Sequence, residues 1–166
     1  PGPVFFMQTR VGRNGIPFSI YKFRTMYDKQ TSLQLTQGEG DSRITNAGKI
    51  LRKLHLDEMV QLINVIKGEM SIIGPRPEVS EYVAPSKAWD VALSIKPGIT
   101  GLTALKLADW EYSILKSSSD SKAVYLNRIL PRKLRMDAIY VRNLSFALDC
   151  RIIMLSFKRF MNLLKG

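Results

Sequence analysis

The sequence predicts an α+β fold, mostly helical, with one small β-hairpin-containing sheet. Three observations predict it. Two β-prone runs, Val4-Phe5-Phe6-Met7 and Phe18-Ser19-Ile20-Tyr21-Lys22-Phe23, flank Gly12-Arg13-Asn14-Gly15, and an Asn-Gly pair between such runs is a hairpin signal. Met59, Leu62, Ile63 and Ile66 recur at i, i+3, i+4 and i+7, the period of an amphipathic helix. The chain then closes with two helical stretches, roughly Leu134–Arg142 and Ser145–Leu164. Its 166 residues suit a single domain, 1–166, with a sizeable core.

Each element follows from its residues. In an extended second strand Lys22 and Arg24 share one face, with Tyr21 and Phe23 on the other. Asp28–Arg43 is rich in Gln, Ser, Thr and Gly and predicts a mobile loop. Thr45 or Asn46 caps a short helix, Ala47–Lys53. A second helix spans Asp57–Ile66, with Gly68 as its stop. Glu69–Ile73 predicts a short strand. Gly74-Pro75-Arg76-Pro77 must turn, since the prolines fix φ and Pro77 keeps Arg76 out of helical geometry. Lys96-Pro97-Gly98-Ile99-Thr100-Gly101 is a second turn, and Lys116–Lys122 a Ser-rich linker.

Composition excludes several chemistries. One Cys (Cys150) and one His (His55) leave no disulfide framework and no Cys/His zinc site. Cys150 reads as a buried, inert thiol, and His55 as a structural residue that can cap the helix opened by Asp57. No apolar run reaches the ~18 residues of a membrane span, and no signal peptide is visible. The chain opens Pro1-Gly2-Pro3-Val4 without Met and reads as a fragment. A net charge of +11 makes the surface seek anions: nucleic acid, anionic lipid or phosphorylated small molecules.

The chemistry centres on Asp57-Glu58 at a helix start. Adjacent helical carboxylates point about 100° apart, so one can face a cleft while the other pairs or orients. The helix dipole there favours the ionised form. A carboxylate can act as a nucleophile through an acyl-phosphate or hold Mg2+; Asp and Glu are also ordinary first-turn residues. Lys22, Arg24, Arg52 and Arg76 supply cations suited to phosphate oxygens, and the two prolines hold Arg76 most stiffly. The last helix sets Phe146, Ile153, Leu155, Phe157 and Phe160 against Arg151, Lys158, Arg159 and Lys165. That pattern serves either a lipid interface or a core-facing helix.

In order and spacing these segments resemble the bacterial sugar transferases known as monotopic phosphoglycosyl transferases. The resemblance rests on Pro1–Phe6 through Arg10–Gly15, Tyr21-Lys22-Phe23-Arg24-Thr25-Met26 and Asp41-Ser42-Arg43-Ile44-Thr45. It continues through Leu56-Asp57-Glu58, Gln61–Ser71, Ile73-Gly74-Pro75-Arg76-Pro77 and Lys96–Leu102. It implies a membrane-associated monotopic catalytic domain whose family-typical N-terminal re-entrant membrane helix precedes the first residue here. Asp57 would attack the β-phosphate of a nucleotide (UDP-) sugar, and UMP would leave. A polyprenyl (undecaprenyl) phosphate would then take the sugar-phosphate. Glu58 would complete the catalytic pair, Mg2+ would sit at Asp57, and Lys22, Arg24, Arg52 and Arg76 would bind substrate. The resemblance further implies membrane lipid as a partner, no nucleic acid, and the cytoplasmic face of the bacterial inner membrane. The family often has Ser where His55 stands. After Gly101-Leu102 the chain departs from many members, reading Thr103-Ala104-Leu105-Lys106-Leu107-Ala108-Asp109, and the sugar stays open. Two rival readings, a basic nucleic-acid-binding protein and a non-catalytic membrane scaffold, find no helix-turn-helix, zinc or RNA-binding signature and no disrupted Asp-Glu pair.

Overall fold

The computed structural model describes residues 2–27, 41–118 and 120–165. Strands β1 (Phe5–Val11) and β2 (Pro17–Phe23) form the expected antiparallel hairpin, in register from Phe5 opposite Phe23 to Val11 opposite Pro17. Asn14 and Gly15 turn the chain at φ 57° and 78°, left-handed values that these two residue types tolerate. Phe18 and Ile20 face inward onto Met70.

The polar loop expected over Asp28–Arg43 lies outside the described residues as far as position 40; Asp41 to Arg43 form a tight turn closed by the Arg43 guanidinium on the Asp41 carboxylate. Helix α1 (Asn46–Lys53) is capped by Thr45, whose hydroxyl accepts the Gly48 N–H at 2.9 Å. A Cβ on Gly48 would lie 2.2 Å from the Thr25 carbonyl oxygen, so only glycine lets α1 abut the end of β2.

The helix expected over Asp57–Ile66 is two pieces, a 3₁₀ turn (Leu56–Gln61) and a short helix α2 (Leu62–Ile66). Its burial is also inverted. Asp57, Gln61 and Asn64 are buried, whereas Met59, Leu62, Ile63 and Ile66 are exposed, Ile66 by 86%. Asn64 explains the inversion. Its amide donates to the Ser19 carbonyl (2.8 Å) and to Glu69 (2.7 Å) and accepts the Tyr21 N–H (3.2 Å). These bonds tie the polar side to β2 and turn the apolar stripe to the surface.

Strand β3 (Ser71–Ile73) is shorter than expected. After it come α3 (Lys87–Ala92) and then β4 (Gly98–Thr100), which pairs parallel to β3 where a simple turn was expected. A Cβ on Gly98 would sit 2.1 Å from the Gly74 nitrogen. That close approach locks the two Pro/Gly motifs together. Helix α4 (Leu102–Lys116) and, after a short link, α5 (Ser121–Val124) continue through one π turn into α6 (Leu130–Arg142), and α7 (Phe146–Lys165) closes the chain. Helices α3 and α4 are not expected from the sequence pattern, and α6 begins four residues before the expected Leu134.

The main core gathers Tyr82, Trp89, Tyr125, Ile129, Leu130 and Leu134 between α3, α6 and the π turn. Tyr140 and Ile152 tie α6 and α7 to β3 through Ile73. Helix α7 leaves Phe146, Met154, Phe157 and Leu164 exposed. Cys150 is half-buried rather than buried. Among the described residues no helix is long and apolar enough to cross a membrane.

Candidate active site

The carboxylate pair is delivered by a sharp reversal after α1. His55 adopts left-handed φ 53°, a conformation costing a non-glycine residue roughly 1 kcal/mol. It occupies the N-cap position without a side-chain cap; its carbonyl instead accepts the Glu58 N–H at 3.4 Å. In a 3₁₀ turn neighbouring residues project about 120° apart. Asp57 therefore points into the protein while Glu58 swings towards β2 and the Gly74–Pro77 turn.

Glu58 gathers the cations. Lys22 Nζ donates to Glu58 Oε1 at 2.7 Å. Arg76 donates Nη1 to Oε2 at 3.1 Å and Nη2 to Oε1 at 2.5 Å, a bidentate fork. Burial alone would raise the Glu58 pKa, but Arg76 and Lys22 together outweigh it and hold the group far below the ordinary carboxylate range. Glu58 is thus an anion that carries two cations. Arg76 is raised in turn, first by the Glu58 charge. Lys22 is lowered by burial and by Arg76, against the pull of Glu58.

Asp57 behaves differently. Burial pushes its pKa up and the Glu58 charge adds to this, while Lys22 and Arg52 oppose. The expectation that a helix dipole would ease its ionisation is therefore corrected. A six-residue 3₁₀ turn has little dipole to offer, and desolvation of a carboxylate is the larger effect. Arg52, in the last turn of α1, stands within electrostatic range of Asp57. Arg24 lies past the end of β2 with its guanidinium against Gly2. Lys22 and Arg76 thus meet on Glu58, Arg52 acts on Asp57 through its charge, and Arg24 sits apart along the N-terminal edge.

Arg76 is exposed between two buried prolines, Pro75 and Pro77. The Pro75 carbonyl accepts the Gly98 N–H at 2.8 Å. Beyond Pro77 the chain enters a buried polar network that sequence reading missed. The Glu78 carboxylate accepts from Tyr125 Oη and from Lys133 Nζ (3.2 Å), and Lys133 also donates to Tyr125 (2.9 Å). Nearby Thr103 donates to Asp137, whose pKa is pushed up to about 6 by burial, with Thr103 and Lys133 opposing. Lys133 and Asp137 stand four apart on α6, but their partners come from distant segments, so no local spacing could reveal the network.

The bacterial sugar transferase family matches residues 1–163. The chain belongs to this family. It is similar to the UDP-N-acetylgalactosamine-undecaprenyl-phosphate N-acetylgalactosaminephosphotransferase of Aeromonas hydrophila, 36% identical over all of this chain and 36% of that protein. It is also similar to the UDP-glucose:undecaprenyl-phosphate glucose-1-phosphate transferase of Escherichia coli (strain K12), 34% identical over 98% of this chain and 34% of that protein. The uncharacterized sugar transferase EpsL of Bacillus subtilis (strain 168) is 35% identical over 95% of this chain and 69% of its own length. The chain thus spans about a third of the first two family members and about two thirds of the last.

Proposed function

We propose that this chain carries the catalytic site of a phosphoglycosyl transferase, moving a sugar-1-phosphate from a UDP-sugar to undecaprenyl phosphate. The observation that carries this reading is the convergence of Lys22 and Arg76 on Glu58 beside the buried Asp57. Relatives named for this reaction support the donor and acceptor.

In the first step an Asp57 carboxylate oxygen attacks the β-phosphorus of the donor. The bond to the bridging oxygen breaks, and that oxygen leaves on UMP. In the second step an oxygen of undecaprenyl phosphate attacks the same phosphorus and the Asp57–phosphorus bond breaks, leaving undecaprenyl-diphospho-sugar. Lys22 and Arg76 are cations already gathered where diphosphate oxygens must bind. Arg52 and Lys22 favour ionised Asp57 against its burial, and an ionised Asp57 is what the first step needs.

Mg2+ fits this donor set. Both Glu58 oxygens are occupied by cations, and among the described residues no three His, Cys, Asp or Glu side chains gather. Asp57 alone would hold the ion, as Mg2+ keeps water and substrate phosphate oxygens around one or two carboxylates. The bound ion supplies neutralisation of the diphosphate charge.

The acceptor is lipidic, which calls for a membrane surface. The exposed stripe Met59, Leu62, Ile63 and Ile66, with Phe146, Met154 and Phe157 of α7, suits burial in a lipid interface. The cytoplasmic face of the bacterial inner membrane is the site that a UDP-sugar donor requires.

The test is UMP release by the full-length protein in membranes, with Mg2+, undecaprenyl phosphate and a panel of UDP-sugars. Release with one sugar, lost in Asp57→Asn, supports the reading. Release that survives Asp57→Asn rules out the covalent route. No release from any donor by folded protein overturns the function.

A further inference from the structure

We propose that Arg10, on β1, is a positioning residue for Arg76. The inference rests on the proposed function, in which Arg76 meets donor phosphate. Arg10 Nη1 donates to the Pro77 carbonyl at 3.3 Å and lies 3.8 Å from Glu78 Oε2, while Nη2 donates to Gln8 Oε1 at 2.7 Å. The next residue adds a backbone bond, Val11 N–H to the Glu78 carbonyl at 2.9 Å. The end of β1 thus grips both residues that follow Arg76.

The grip acts on a turn that is otherwise rigid. Pro75 and Pro77 fix φ on either side of Arg76, and β4 holds the Pro75 carbonyl. Glu78 is anchored from behind by Tyr125 and Lys133. With both flanks clamped, the Arg76 backbone has one place to be. A guanidinium fork on diphosphate needs that placement, since about 1 Å of displacement can cost 10²-fold.

Two features argue that Arg10 is more than packing. It brings a second guanidinium close enough to Arg76 for the two charges to repel. Its Nε is buried without a hydrogen-bond partner among the described residues, a cost a Lys or Met at this site would avoid. What neither could supply is the fork that takes the Pro77 carbonyl and Gln8 together.

The test is steady-state UMP release by the full-length protein, with thermal stability measured beside it. Wild-type turnover comes first, and its absence would overturn the proposed function rather than this inference. Arg10→Lys is expected to lose roughly ten- to hundredfold in kcat/KM with Tm within about 4 °C of wild type. In an Arg76→Ala background the same change should cost less than about twofold, because coupled residues are not additive. Should Arg10→Lys not fold, Gln8→Met loosens the same fork and should show a smaller loss with the same coupling. Wild-type kcat/KM in the variant, or an equal loss with and without Arg76, would overturn the assignment.

Discussion

Arg76 and Glu58 form a bidentate ion pair across 18 residues, 3.1 Å and 2.5 Å between their four polar atoms. The same carboxylate holds the largely buried Lys22. Glu58→Gln should therefore leave an ammonium unpaired away from water. The expected loss is about 2 kcal/mol in urea unfolding, below the 3–5 kcal/mol of a fully buried pair because Arg76 is partly exposed. UMP release should fall by roughly 10² or more, since the cations lose their common seat. Unchanged stability and turnover would show that Glu58 does not organise them.

Asn64 is the hinge of the inverted segment. It is fully buried and bonded to Ser19, Tyr21 and Glu69. Asn64→Leu keeps the number of side-chain heavy atoms but strands the Ser19 carbonyl and Tyr21 N–H. The loss should be about 2 kcal/mol by denaturant titration, from two part-buried groups left without their partner. A near-neutral result would mean the segment is held by other contacts.

Asp137 sets a pH dependence of stability. Its folded pKa, about 6, lies above that of an ordinary aspartate, so the folded state binds the proton more tightly. Its contribution is fully present below about pH 4 and is lost as pH rises to about 6. The span corresponds to on the order of 3 kcal/mol. Asp137→Asn keeps the partner for Thr103 and removes the titration. Tm against pH should then lose its downward slope between about pH 4 and 6, and parallel curves for the two proteins would rule out this source.

The exposed stripe offers a test without catalysis. Replacing Met59, Ile63 and Ile66 with Gln should leave Tm within about 4 °C, since these side chains face solvent and surface changes cost little. Sedimentation with anionic vesicles should weaken tenfold or more, as burying each such side chain is worth roughly 1–2 kcal/mol. Equal vesicle binding by both proteins would exclude this face as the lipid contact.

Much of the molecule was legible in its residues. The hairpin followed from apolar runs around Asn14-Gly15, α1 from the Thr45 cap, and α7 from its long amphipathic pattern, because these signals are local. The Asp57-Glu58 pair and the stiff Pro75-Arg76-Pro77 turn stood out for the same reason. The apolar stripe from Met59 to Ile66 gave a period without a direction. Periodicity records that one face differs from another, and not which face meets the core. Here Asn64 decided, through bonds to a strand more than 40 residues away.

Local residue patterns specify an α+β chain of the bacterial sugar transferase family, with its carboxylates and cations in a recognisable order. Their division of labour arises in the fold. Glu58 became the seat of Lys22 and Arg76, Asp57 was sunk where burial raises its pKa, and Arg24 was left at the edge. Such outcomes depend on distance and desolvation between segments far apart in the chain, and those quantities exist only once the chain has folded.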